Sequence, residues 1–141
     1  MTDQIYPCLW FDGQAGAAAQ FYCSIFKNSK IIADNPMVVT FEINGNRFMA
    51  LNGGPQFKFN EAVSFVVNCE TQEEIDHYWY KLTADGGSEG NCGWLKDKYG
   101  VSWQIVPTVL PKLLSNPDKA QNVVQAFMKM KKFDIQTLEN A

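Results

Sequence analysis

Asn91-Cys92-Gly93-Trp94-Leu95-Lys96-Asp97-Lys98-Tyr99-Gly100-Val101-Ser102-Trp103-Gln104-Ile105-Val106-Pro107 reads as a β-hairpin. An apolar run meets a polar turn closed by Gly100, and a second strand ends at Pro107. Strand alternation puts Val101, Trp103 and Ile105 on one face of that strand, and Ser102 and Gln104 on the other. A face of Ser and Gln backed by a face of Trp and Ile can line a cavity in front while burying a core behind. The pattern gives a place for a ligand without naming it.

Working back from the hairpin, Thr71-Gln72-Glu73-Glu74 has the form of a capping box. It opens a helix that buries Ile75, Tyr78, Trp79 and Leu82 and ends at Gly86-Gly87. A strand is expected before it, over residues 63–68. The first part of the chain has the same order. An apolar strand at 5–11 is stopped by Asp12-Gly13, and a helix at 14–26 carries Ala18, Phe21, Tyr22 and Ile25 at helical spacing. A short strand is expected at 30–33. Strands at 38–43 and 47–51 flank Asn44-Gly45, a pair that favours a type I′ turn because both residues tolerate positive φ. That turn sets Glu42 across from Arg47 and Phe41 across from Phe48.

Strand, helix and about three strands therefore occur twice, over residues 4–52 and 62–107. The fold expected is α+β: paired βαβββ modules forming a curved, cupped mixed sheet with helices outside, plus a C-terminal helical tail at 108–141, all in one domain. In the tail, Asn116-Pro117-Asp118 reads as a helix start with Asn116 as N-cap and Pro117 at the first helical position. Val123, Val124, Phe127 and Met130 form an apolar stripe for the chain's own domain or a second subunit. Lys129, Lys131 and Lys132 suit the helix C-terminus. A last short helix is expected at 134–138.

Composition narrows the partners. The chain has 141 residues, is 46% apolar and carries a net charge of −3. It is long enough to bury about two thirds of its unfolded surface. With no basic stripe to neutralise phosphates, nucleic acid is not an expected partner. No run approaches the roughly 18 apolar residues of a membrane span, and the tail's polar face has too few basic residues for a membrane surface. Met1-Thr2-Asp3-Gln4 lacks the basic and apolar regions of a secretory signal. Cys8, Cys23, Cys69 and Cys92 have no C-x-x-C spacing, which argues against a disulfide framework or a zinc knuckle. They are expected to be small buried hydrophobes, and the compartment expected is the cytoplasm.

The paired βαβββ order resembles the vicinal oxygen chelate superfamily of glyoxalase I, bleomycin-resistance proteins and extradiol dioxygenases. Within it the chain is most similar to the group labelled 3-demethylubiquinone-9 3-methyltransferase-like. The matching segments are Phe11-Asp12-Gly13 with the Phe21-Tyr22 helix, Phe57-Lys58-Phe59-Asn60-Glu61-Ala62, Val66-Val67-Asn68-Cys69, the Glu74-Ile75-Asp76 helix, the Cys92-to-Pro107 hairpin and Met130-Lys131-Lys132. The segment 30–37 is short for the family.

Catalytic members of the superfamily place four metal ligands on the concave face. Carried over, these fall near Pro7, near Ala50, at Val63 or Ser64, and at Gln104. Pro, Ala and Val cannot bind a divalent cation, and a Gln amide is a weak ligand, so no metal or other cofactor is expected. The only histidine, His77, stands about 200° round its helix from Ile75 and is expected at the surface. Asp12-Gly13-Gln14-Ala15-Gly16 is too loose a glycine pattern for an S-adenosylmethionine site and reads as helix initiation.

The residues assigned to the cavity are Leu9, Phe48, Ala50, Ser64, Ser102 and Gln104. Trp10, Trp94 and Trp103 are candidates for stacking on a flat ligand, with core packing expected for at least two of them. Glu42 and Arg47 read as an exposed cross-strand pair, and Asp97 and Lys98 as solvated turn residues. Three functions stay open. One is binding of an apolar or aromatic small molecule with Gln104 and Ser64 as polar handles. Another is an enzyme of unassigned reaction, with a quinone-like substrate implied by the group's label. The third is a structural dimer module with a vestigial cavity. A homodimer is expected in each case.

Overall fold

Helix capping and strand alternation build the same unit twice in the computed structural model, which describes residues 5–141. Met1-Thr2-Asp3-Gln4, read above as no secretory signal and including the first residue of the expected first module, lies outside the described residues. The chain divides into two compact units between Phe59 and Asn60.

The first unit contains β1 (Cys8–Phe11), α1 (Ala15–Ile25), β2 (Lys30–Asp34), β3 (Val38–Ile43) and β4 (Asn46–Asn52). Its sheet has the order β1-β4-β3-β2, with β1 parallel to β4 and the other pairs antiparallel. Asn44 and Gly45 have φ of 50° and 81°, as a type I′ turn requires. The turn pairs Glu42 with Arg47 and Phe41 with Phe48, as expected. No side chain of its own caps α1. Instead Asn52 Oδ1, at the end of β4, accepts from Ala15 N at 2.9 Å, while Asn52 Nδ2 donates to Pro36 O. Buried Ala15, Ala18, Ala19, Tyr22 and Ile25 form the inner face of α1. The Tyr22 ring stacks on Phe41, which stacks on Phe48.

The second unit repeats the plan with β5 (Ser64–Cys69), α2 (Gln72–Thr83), β6 (Ser88–Glu89), β7 (Trp94–Lys96) and β8 (Ser102–Pro107) in the order β5-β8-β7-β6. The architecture is thus α+β with two βαβββ modules and C-terminal helices. Thr71 and Glu74 form the capping box at α2, which buries Ile75, Trp79 and Leu82 while Tyr78 stays half-exposed. Trp79 Nε1 donates to Glu89 Oε2 at 2.7 Å, tying the helix to β6.

Asp97 differs from its reading as a solvated residue. It is 2% exposed. Its Oδ1 accepts from Tyr99 N and Val101 N, and its Oδ2 from the Trp103 indole at 2.9 Å. The buried indole N–H needs an acceptor and the tight turn leaves backbone donors pointing inward, so one carboxylate meets both needs. Lys98 is exposed as expected.

The tail packs on its own unit through α3 (Val109–Leu114), α4 (Ala120–Phe127) and α5 (Ile135–Glu139). Helix α3 was not anticipated: Pro111 looks like a breaker, but it sits in the first turn, where no intrahelical N–H is required. Regular helix begins at Ala120 rather than at Pro117, because residues 117–119 form a turn. Asn116 still organises that turn, its Oδ1 accepting from Asp118 N and its backbone carbonyl from Lys119 N and Ala120 N. Of the stripe, Val123 is buried and Val124 is 38% exposed. Gln72 clamps the tail with two bonds, Nε2 to Phe133 O and Oε1 from Ile135 N. Lys132 pairs with Asp76 at 2.6 Å and donates to Tyr80 Oη.

Replacing Asp97 with Asn turns an amide N–H₂ towards the indole N–H or the turn amides. The substitution should destabilise by about 2 kcal/mol or more, seen as a lower urea midpoint at unchanged m. A midpoint equal to wild type would contradict the turn's dependence on the carboxylate.

The hydrogen bond from Lys132 holds the Asp76 carboxyl below the usual value of 3.8, helped by Gln72 and opposed by partial burial. A carboxyl lowered in the folded state stabilises above its unfolded pKa, and that contribution fades as pH falls through the lower folded value. The pair is partly exposed, so the effect should stay below about 1 kcal/mol. Wild type should therefore melt slightly above Asp76→Asn at pH 6, with the gap closing below the ordinary aspartate range. A gap that persists at the acid end would exclude the ion pair as its source.

Candidate functional site

In the second unit, α2 covers one face of the sheet and leaves the other open. Trp103 and Ile105 of β8 lie on the covered face at 3% and 0% exposure. Ser102, Gln104 and Val106 alternate onto the open face. The register sets Ser64 beside Ser102 and Val66 beside Gln104 on one flank, with Trp94 beside Gln104 and Lys96 beside Ser102 on the other. Gln104 Nε2 donates to Ser64 Oγ at 2.9 Å, so the two expected handles meet across the ladder. The Ser64 hydroxyl proton and the Gln104 amide oxygen remain for a ligand.

Beside them is a cleft of about 180 Å³ whose lining includes Glu61, Ser88, Gly90, Trp94, Lys96 and Ser102. Lys96 Nζ forms an ion pair with Glu61. The hydrogen bond and charge of Lys96 hold the Glu61 carboxyl below the usual range. Ser102 is 1% exposed, and its Oγ has no hydrogen-bond partner. Lys96, Glu61 and Ser88 were not anticipated as site residues. Lys96 could have been found by pairing the hairpin across its turn, which sets it opposite Ser102.

The first unit places its expected site residues differently. Leu9, Phe48 and Ala50 are 6%, 8% and 0% exposed and lie on the face that α1 covers. They pack the core rather than line an open surface. The open face belongs to their neighbours: Cys8, Trp10, Thr40, Met49 and Leu51 by register. The Trp10 indole lies against Gly53, where an added Cβ would come within 2.4 Å of the ring. Its Nε1 donates to Gly54 O, and Phe57 meets it edge-on at 4.9 Å. Of the three candidate tryptophans only Trp103 is a core residue, where at least two were expected to be, and Trp10 and Trp94 stand half-buried on open faces. Arg47 faces Glu42 in register, yet its guanidinium lies over the Tyr6 ring at 5.7 Å. Among the described residues no ion pair joins it to Glu42.

The donor set does not fit a divalent cation. Among the described residues no three of His, Cys, Asp and Glu come together. Of the positions carried over from the superfamily, Ala50 is in the core and Gln104 is engaged with Ser64. His77 is exposed on α2. Burial pushes the Cys69 thiol up to about 12, far from a reactive thiolate. Cys8 is exposed rather than buried, and Cys23 and Cys92 are intermediate.

Residues 3–106 match the family model described as 3-demethylubiquinone-9 3-methyltransferase. The chain belongs to that family. Among solved structures, it is 35% identical to the PhnB protein of Bacillus cereus, provisionally named 3-demethylubiquinone-9 3-methyltransferase; the match covers 75% of this chain and 100% of that one, at a TM-score of 0.69. It is similar in fold to a glyoxalase-related enzyme from Fulvimarina pelagi, with 18% identity, coverage of 77% and 91%, and a TM-score of 0.57. It also shares the fold of the fosfomycin resistance protein FosX from Listeria monocytogenes, solved with Mn(II) and sulfate, with 16% identity, coverage of 82% and 97%, and a TM-score of 0.59. No curated protein matches the chain. This PhnB-like chain therefore shares its fold with glyoxalase-related and fosfomycin-resistance proteins. Among the described residues, no helix is long and apolar enough to cross a membrane.

Proposed function

We propose that this PhnB-like chain binds an apolar or aromatic small molecule and works without the superfamily's divalent metal or any other cofactor. The observation that carries this reading is the hydrogen-bonded Gln104–Ser64 pair beside Trp94, on a sheet face that no helix of its unit covers. A ring stacked on Trp94 would meet an amide oxygen and a hydroxyl suited to fixing its orientation. The dispersed charge supports neither nucleic acid nor a membrane surface as partner. Four free thiols, Cys8, Cys23, Cys69 and Cys92, support a cytoplasmic location.

Titration with a panel of neutral aromatic and apolar compounds should quench tryptophan emission for at least one of them. Gln104→Ala should weaken that binding by about tenfold. A panel that leaves emission unchanged would favour the structural-module reading instead. The family name favours an enzyme acting on a quinone-like substrate. Against it, neither module alternates strand and helix in the doubly wound manner, and Gly13 to Gly16 only lead into and form the start of α1. Methyl transfer from S-adenosylmethionine that Gln104→Ala abolishes would replace the binding reading with the enzymatic one.

The same protein is proposed to be a homodimer. The outer strands β1 and β5 each leave one edge unpaired within their own sheets, and Val63 just before β5 and Val66 within it are 66% and 55% exposed. Unpaired edges and exposed apolar side chains favour association. Sedimentation at micromolar concentration should give twice 15.9 kDa. A monomer would refute the dimer.

A further inference from the structure

The cleft beside the Gln104–Ser64 pair holds two features that its packing does not explain. Ser102 Oγ is buried with no partner, although a buried hydroxyl normally finds one. Lys96, across the ladder from Ser102 on the same face, is tied to Glu61 in a pair whose side chains are 43% and 59% exposed. An ion pair this exposed contributes little to stability and is cheap to open. Glu89 is the other carboxylate at the cleft, but its Oε2 is held by the Trp79 indole. With Glu61 swung aside, the groups offered inward are an ammonium and the hydroxyls of Ser102 and Ser88. All of them can donate, and Trp94 forms an apolar wall.

Resting on the binding reading above, we propose that this cleft takes the carboxylate of a small aromatic acid, with Glu61 as an internal stand-in that the ligand displaces. One ligand oxygen replaces the Glu61 oxygen at Lys96. The other accepts from Ser102 Oγ, supplying the partner that hydroxyl lacks. The ring lies against Trp94.

The test is calorimetric titration of the full chain with benzoate and, separately, with benzamide. Benzoate should bind saturably and benzamide should not. Lys96→Met should weaken benzoate by about tenfold or more, and Ser102→Ala should weaken it while leaving the melting temperature equal or higher. Glu61→Gln should tighten benzoate several-fold, because the competing carboxylate is gone. That change of opposite sign cannot come from misfolding. Equal binding of benzamide, no benzoate binding to wild type and Glu61→Gln alike, or weaker binding to Glu61→Gln would overturn the inference. If neutral aromatics still bind in a Gln104-dependent way while benzoate does not, the carboxylate site falls and the broader binding reading stands. If neither class binds, both fall.

Discussion

Asp97 decides which face of the hairpin is polar. A carboxylate at 2% exposure is tolerable only because both oxygens meet donors: two backbone amides of the turn on one and the Trp103 indole on the other. These bonds tie the turn to the side chain six residues on and so pin the pairing of β7 with β8. In a sheet the side-chain period is two, so a slip of one residue would move Trp103 and Ile105 to the open face and drive Ser102 and Gln104 into the core. The Gln104–Ser64 bond, the Lys96–Ser102 juxtaposition and the cleft all depend on the register that Asp97 holds.

The two modules share a strand order but present different chemistry. In each, a single helix covers one sheet face. On the first unit's open face Trp10, Met49 and Leu51 make a largely apolar surface, and the Trp10 ring is shelved by Gly53, Gly54 and Phe57. On the second, Ser64, Lys96, Ser102 and Gln104 make a polar one around Trp94. The helices are also anchored differently, α1 by Asn52 reaching from β4 and α2 by its own capping box. The two modules share a scaffold but differ at their exposed positions. The tail belongs to the second unit, where Gly93 lacks the Cβ that would collide with the buried Phe133 ring.

What the sequence discloses is what local rules govern. The capping box at Thr71, the turn at Asn44-Gly45, the alternation of β8 and the duplicated order depend on residues a few positions apart. The facing of β1 and β4 does not. Leu9 and Trp10, or Phe48, Met49 and Ala50, are apolar on both sides of their strands, and only the docking of α1 tells which side is covered. Hence strand alternation alone points Leu9, Phe48 and Ala50 at the cavity, while the docking of α1 puts them in the core. Asp97 looked like any turn aspartate because its burial depends on where the Trp103 indole lies. Glu61 lies in a segment that resembles the family, yet its ion pair is with Lys96, far along the chain. Pro111 hid α3 because a proline is ambiguous between breaking a helix and opening one.

Ser102 carries a local cost that its packing does not explain. A buried hydroxyl without a partner costs about 1–3 kcal/mol relative to a satisfied one, and alanine would fit the same strand position without that cost. The rest of the hairpin is well satisfied, from Asp97 with its three donors to Gln104 with Ser64. Among the described residues two buried side-chain polar atoms lack a partner, Arg47 Nε and Ser102 Oγ, and of these Ser102 Oγ lies beside a loosely held ammonium, the profile of a position kept for something other than stability. Ser64, Lys96, Ser102 and Gln104 give this face hydrogen-bonding groups rather than an apolar fill.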